Sequence, residues 1–187
     1  MILGILPGVE KMYREKIKVL DCTIRDGGLI NNYQFTTDLV KAIYAASCDS
    51  GIDIIEIGKK LCESDEYTRE KYGKWNFCDE DDIKKVVDAH ECENPPILAV
   101  MYDVDRVDIS SLLPSEQSVI GMVRTACYVP DIDKGLDLVK RSKDLGYQTT
   151  INIMASSAAI ETELIEALEQ VNEVAEVDWL YLVDSYG

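Results

Sequence analysis

VLDCTIRDGGLINNYQF, residues 19–35, breaks the pattern of an ordinary buried strand. Apolar and small residues run straight into Thr23, the adjacent opposite charges Arg25 and Asp26, and the pair Gly27-Gly28. A strand that served only the core would gain nothing from charges at its end. The segment therefore predicts a strand over 19–23 that carries Arg25 and Asp26 to a site. Gly27 and Gly28 are expected to turn the backbone sharply and let it approach a ligand closely.

Working outward from this segment, apolar runs rich in β-branched residues recur at 53–57, 97–102, 119–125, 149–154 and 179–184. Most are apolar nearly throughout, as in a parallel sheet covered on both faces. Between them lie segments of helical period. Leu39, Val40 and Ile43 mark one; Ile83, Val86, Val87 and His90 another; Ile132, Leu136 and Val139 a third; Ile160, Leu164, Leu168 and Val171 a fourth. The connection from Asp105 to Leu113 is short and closed by Pro114. Caps are expected at Thr37, Asp79, Asp131 and Ser157, and helix stops at Gly51 and Gly146. The repeated βα pattern makes this an α/β chain with right-handed crossovers. Two architectures fit: a doubly wound open sheet, or part of a (β/α)₈ TIM barrel. No G-x-G-x-x-G follows the first strand, so the dinucleotide fingerprint is absent. A whole barrel takes ~250 residues. In 187 residues about six of eight βα units are expected, the sequence stopping just past the sixth strand.

Composition narrows the function classes. Hydrophobic residues make up 47% and charged residues 29%, which suits a soluble globular domain. With 19 basic and 35 acidic residues the net charge is −16, which argues against nucleic acid and anionic membrane surfaces. No apolar run approaches the ~20 residues of a membrane span. MILGILPGVEK at the start lacks the basic lead of a secretory signal, so cytoplasm is the expected location. Residues 1–16 read as an N-terminal extension and 17–187 as the barrel domain. The six cysteines contain no CxxC pair and read as reduced, mostly buried thiols. The single histidine, His90, falls on an apolar stripe and reads as a packed or capping residue.

The strand ends carry the functional signal. After Arg25 and Asp26 on the first come Glu56 on the second, Tyr102 and Asp103 on the third, Arg124 on the fourth, Asn152 on the fifth and Asp184 on the sixth. In a parallel sheet these ends share one rim, where such folds place their sites. Charges inside apolar strands are costly unless paired or used. One reading is a buried ion network among Glu56, Arg124 and Asp184. The other is a polar pocket, with Asp26, Glu56 and Asp184 as hard oxygen donors for Mg²⁺ or Mn²⁺ and the arginines as cations for a carboxylate or enolate.

VLDCTIRDGG resembles the first-strand signature of the metal-dependent aldolase and lyase barrels known as DRE-TIM metallolyases. Asn31, Asn32, Tyr33 and Phe35 after it, and YGKWNFC at 72–78, resemble the 4-hydroxy-2-oxovalerate aldolase-like branch. The resemblance covers residues 17–187. It implies a (β/α)₈ barrel, a 2-oxo acid substrate, and C–C bond cleavage or condensation through an enolate. It implies Arg25 as the enolate stabiliser, Asp26 as a ligand of a divalent metal, Mn²⁺ or Mg²⁺, and Glu56, Arg124, Asn152 and Asp184 as substrate-binding positions. A homo-oligomer is possible. Two features depart from the family pattern: no His-x-His metal pair is present, and Leu29 stands where those aldolases carry a catalytic histidine. The competing reading is a truncated, non-catalytic barrel that binds a metabolite or a partner.

Overall fold

The computed structural model describes residues 17–107, 109–174 and 177–186. The proposed extension at 1–16 lies outside them. Six strands form one parallel sheet: β1 (Leu20–Asp21), β2 (Ile54–Lys59), β3 (Ile97–Asp103), β4 (Met122–Cys127), β5 (Gln148–Ile153) and β6 (Trp179–Leu182). Their spatial order is their chain order, β1 to β6. A doubly wound sheet reverses its order at a switch point; none occurs here. Of the two architectures that fit the sequence, the structure selects the TIM-barrel type, as a curled half-barrel.

The helices are α1 (Thr23–Asn31), α2 (Thr37–Ser50), α3 (Arg69–Tyr72), α4 (Glu80–Val87), α5 (Ile132–Asp144) and α6 (Glu161–Glu173). Between β3 and β4 the described residues form only single 3₁₀ turns, at Ile109–Ser111 and Ser115–Gln117. Strand residues alternate between two apolar layers, following their period of two. On the outer side Ile55, Ile57, Val100 and Val123 pack with Val40 and Tyr44 of α2 and Ile83 and Val86 of α4. Farther along, Ile151 and Ile153 meet Ile132, Leu136 and Val139 of α5 and Ala167 and Val171 of α6. On the inner side Ile54, Ala99 and Met122 form a layer with Leu20, Ile97 and Trp179. Leu180 and Leu182, on the outer face of β6, are 41% and 52% exposed, because no described helix covers that face. No described helix is long and apolar enough to cross a membrane.

Some local expectations are corrected. Thr36 caps α2, accepting from the Leu39 N–H at 3.2 Å, so the expected Thr37 is one residue late. Asp79 caps α4 as expected, accepting from Asp82 N–H at 3.0 Å. The side chain of Asp131 does not cap α5, and α6 begins after Ile160 rather than Ser157. Only Cys78 and Cys127 of the six free thiols are fully buried.

The main correction concerns the opening segment. The first strand stops at Asp21, and Thr23–Asn31 is a helix. Gly27 and Gly28 lie inside that helix and make no turn. Helical interior glycine costs about 1 kcal/mol relative to alanine, so packing must require it. At Gly28 it does: an added Cβ would fall within the Tyr33 ring. The chain doubles back after Asn32, which takes the left-handed conformation with φ 53°, and Tyr33 N–H closes on Gly28 C=O at 2.9 Å. The Tyr33 ring is thereby laid across the glycine. A Cβ on Gly27 would find only Phe35 Cζ, at an ordinary 3.4 Å. Gly28→Ala should lower stability by about 1–3 kcal/mol through overpacking. Gly27→Ala should be neutral or stabilising by up to about 1 kcal/mol. Denaturant unfolding of the two variants checks the contrast, and equal effects would contradict it.

Candidate active site

The site grows out of one buried carboxylate. Glu56 sits mid-β2 on the inner face and is 0% exposed. Ionised and alone there it would be untenable. Its Oε2 is met by Arg25 Nε at 2.7 Å and Arg124 Nη1 at 2.6 Å. The Cys22 thiol also donates to Oε2, at 3.3 Å. Oε1 has no hydrogen-bond partner among the described residues. Arg124, 4% exposed on β4, donates from Nη2 to Asn152 Oδ1 at 3.0 Å. Asn152 in turn donates from Nδ2 to Thr125 C=O at 2.9 Å and Thr150 Oγ1 at 3.1 Å. The Arg124 guanidinium lies 4.8 Å from the Tyr181 ring centroid on β6. A single network therefore runs from α1 through β2, β4 and β5 to β6.

Arg25 is the member that faces outward. Its side chain retains 18% exposure, and Nη1 pairs with Asp26 Oδ1 at 2.6 Å. Asp26 is 55% exposed at the mouth of the cluster. Nη2 of Arg25 has no partner among the described residues. Burial alone would lower the Arg25 pKa, but the charge and hydrogen bond of Glu56 outweigh it and the net shift is upward. Arg25 is thus a fixed cation. The Cys22 thiol is pushed up to about 12, by burial first and the Glu56 charge next. A thiol held protonated is no nucleophile, which removes the cysteine nearest the cluster from the catalytic candidates.

The structure brings Arg25, Asp26, Glu56, Arg124 and Asn152 together, with Arg25 and Asp26 on α1 and Glu56 and Arg124 within β2 and β4 rather than at strand ends. Asp184 lies apart, two residues past the end of β6, where it accepts from Ser157 Oγ and from Tyr186 N–H. His90 is also remote; its Nε2 lies 3.4 Å from Asp49 at the edge of the helical layer. Leu29, in the position of the aldolases' histidine, is 65% exposed on α1. Among the described residues no three His, Cys, Asp or Glu side chains form a group able to hold a metal ion. Asp26 offers one carboxylate and the described residues do not complete a metal centre by themselves.

Sequence reasoning missed Cys22, Tyr33 and Lys59 as members of this neighbourhood. Cys22 was legible in the same signature but reads as an inert thiol. Tyr33 is placed only by the reversal at Asn32. Lys59 is placed by a β-bulge that no propensity marks. A surface hollow of about 590 Å³, lined in part by Lys60, Arg69, Cys78 and Asp79, contains none of the cluster residues. Its cations are already engaged, Arg69 with Asp79 at 2.6 Å and Lys60 with Cys78 C=O at 3.1 Å.

The protein is a half-barrel of the TIM type with an Arg-Asp-Glu cluster built from α1 and the middle of β2. No family model matches the chain. It is 27% identical to 4-hydroxy-2-oxovalerate aldolase 4 of Rhodococcus opacus over 174 residues, 93% of this chain and 48% of that protein. It is 28% identical to the 4-hydroxy-2-oxovalerate aldolase of Carboxydothermus hydrogenoformans over 175 residues, 92% of this chain and 50% of that one. The crystal structure of the N-terminal domain of a putative aldolase from Bacteroides vulgatus matches with TM-score 0.69 and 25% identity, over 91% of this chain and 55% of that one. The chain is thus related to the 4-hydroxy-2-oxovalerate aldolases and spans about half the length of these curated relatives.

Removing one member of a buried ion cluster leaves the others uncompensated, at a cost of about 3–5 kcal/mol. Glu56→Gln should therefore lower the thermal midpoint steeply. Replacing Glu56 and Arg124 together by methionine should recover part of the loss. A double variant no more stable than either single variant would show that the charges are not compensating one another.

Proposed function

We propose that the chain supplies the enolate-stabilising part of a metal-dependent aldolase acting on a 2-oxo acid of the 4-hydroxy-2-oxovalerate type. The observation that carries this reading is Arg25. Its Nε and Nη1 are spent on Glu56 and Asp26, which fix the plane of the guanidinium. That leaves Nη2 and the exposed edge for a ligand oxygen. In the cleavage direction the hydroxyl proton of the substrate is removed, the bond between C3 and C4 breaks, and its electron pair becomes the enolate of the 2-oxo acid. Arg25, already oriented, meets the developing negative charge on the enolate oxygen without reorganising. Glu56, Arg124 and Asn152 form the floor beneath the substrate and hold Arg25 in position. Asp26 is the carboxylate placed to give one ligand to Mn²⁺ or Mg²⁺. When bound, such an ion polarises the 2-oxo group. Asp184 would enter the site only from its position beyond β6. A cytoplasmic location and association into a homo-oligomer are part of the same proposal.

A second reading, a non-catalytic module that binds a 2-oxo acid, is favoured by Leu29, an apolar side chain where a base is needed, and by the incomplete donor set. Turnover separates the two. Pyruvate release from 4-hydroxy-2-oxovalerate by the intact protein with Mn²⁺ supports the enzyme; binding of pyruvate without turnover supports the module.

Arg25→Lys should lower turnover about 100-fold with little change in KM, since an ammonium cannot hold both carboxylates and a ligand oxygen in one plane. Unchanged turnover removes Arg25 from the mechanism. Mn²⁺ should raise the thermal midpoint of the intact protein, and Asp26→Ala should abolish the rise. An equal rise in that variant excludes Asp26 as a ligand.

A further inference from the structure

The cations of the inner face are unequally occupied. Arg124 is enclosed and holds Glu56 and Asn152 through its two terminal nitrogens, while its buried Nε has no partner among the described residues. Arg25 is shared between Glu56 and Asp26. Lys59, the last residue of β2, has a different situation, created by an irregularity in the strand. Glu56 pairs with Ala99 and Gly58 with Val100, so Ile57 is an extra residue and the register shifts between Glu56 and Gly58. In an unbroken strand Lys59 would point to the opposite face from Glu56. The bulge reverses this. Gly58 takes the outer orientation of its partner Val100, a member of the outer core. Lys59 pairs with Met101, which pairs with Arg124, so Lys59 joins the face of the cluster. Glycine is required at 58: a Cβ there would collide with the Trp75 carbonyl and the Cys78 sulfur. Bulges that re-aim a side chain are concentrated beside active sites.

Lys59 is half-buried and its Nζ lies 5.6 Å from the Tyr33 ring centroid. Among the described residues it makes no hydrogen bond and no ion pair. The Tyr33 hydroxyl is also without a hydrogen-bond partner among the described residues, although Tyr33 is only 4% exposed. Tyr33 feels the charges of Arg25, Glu56 and Asp26, which places it at the same mouth. Burial first, and the neighbouring Arg25 charge next, lower the Lys59 pKa against the opposing charges of Asp103 and Glu56. A half-buried cation without an ion pair and a buried hydroxyl without a partner among the described residues, both near the cluster, suit an anionic ligand with oxygen acceptors.

We propose that Lys59, supported by the Tyr33 hydroxyl, is the seat for the carboxylate of the 2-oxo acid, and that Arg124 acts beneath it as a positioning residue without touching the ligand. This assignment rests on the 2-oxo acid reading and names the group that recognises its charged end. It also answers the problem set by a net charge of −16: an anion needs a local cation that is not already neutralised.

The test is calorimetric titration of the intact wild-type protein, Lys59→Ala, Lys59→Arg and Tyr33→Phe with pyruvate, and with methyl pyruvate, which keeps the adjacent carbonyls and lacks the charge. Loss of a charge-assisted hydrogen bond predicts about tenfold or greater weakening of pyruvate binding in Lys59→Ala. Lys59→Arg should retain most of the affinity, Tyr33→Phe should lose less than Lys59→Ala, and binding of the ester should be the same in the wild type and in Lys59→Ala. Thermal midpoints near that of the wild type show that the variants fold; should Lys59→Ala unfold, Lys59→Gln gives the same reading. Pyruvate binding that is unchanged without the Lys59 charge overturns this seat while leaving the aldolase reading intact. Lys59-dependent pyruvate binding in a protein without turnover keeps the seat and overturns the aldolase reading. A wild type that binds no pyruvate overturns both.

Discussion

Glu56 is a carboxylate sealed from solvent, and two guanidiniums converge on one of its oxygens. An ion in that position is tolerable only if it is paired and hydrogen-bonded. The requirement reaches far along the chain, because Arg25 comes from α1 and Arg124 from β4, with Asn152 of β5 holding Arg124 in turn. The strands must keep their register for these contacts to exist. The same contacts orient Arg25, so the interaction that resolves the burial of Glu56 also fixes the side chain nearest solvent.

Two local features of the backbone serve that rim, and each works through close approach at a glycine. At Gly28 a helix gives up its Cβ so that the Tyr33 ring can lie against it. At Gly58 a bulge brings the strand against the Trp75 carbonyl and turns Lys59 to the inner face. Both carry an intrinsic cost. Natural sequences depart from local preference mainly where a site or a strained junction requires it, and both departures here adjoin the same cluster.

The relationship to the 4-hydroxy-2-oxovalerate aldolases extends over 93% of this chain and about half of those proteins. This chain contains a guanidinium paired with two carboxylates, one of them 55% exposed, and a lysine that has no ion pair among the described residues. It does not contain three clustered metal donors among the described residues, and Leu29 occupies the place of a base.

Much of this was legible in the amino-acid order. Runs of β-branched residues alternating with helical periods define a parallel α/β sheet, because such strands must be apolar on both faces. Charges at successive strand ends define a common rim, because every strand runs the same way; Arg25, Asp26, Glu56, Arg124 and Asn152 were accessible on that ground alone. Tertiary structure decided the rest. The choice between barrel and open sheet lay in the strand order, a non-local property that no window of sequence contains. RDGG reads locally as a turn, and became helix because Tyr33 packs across Gly28. Lys59 reads as an outward residue by counting, and turned inward because one extra residue in β2 reversed the alternation. Asp184 has the right residue type at the right strand, yet falls two residues beyond the ladder. Local pattern specifies elements and their faces, while register and close packing determine which side chains meet.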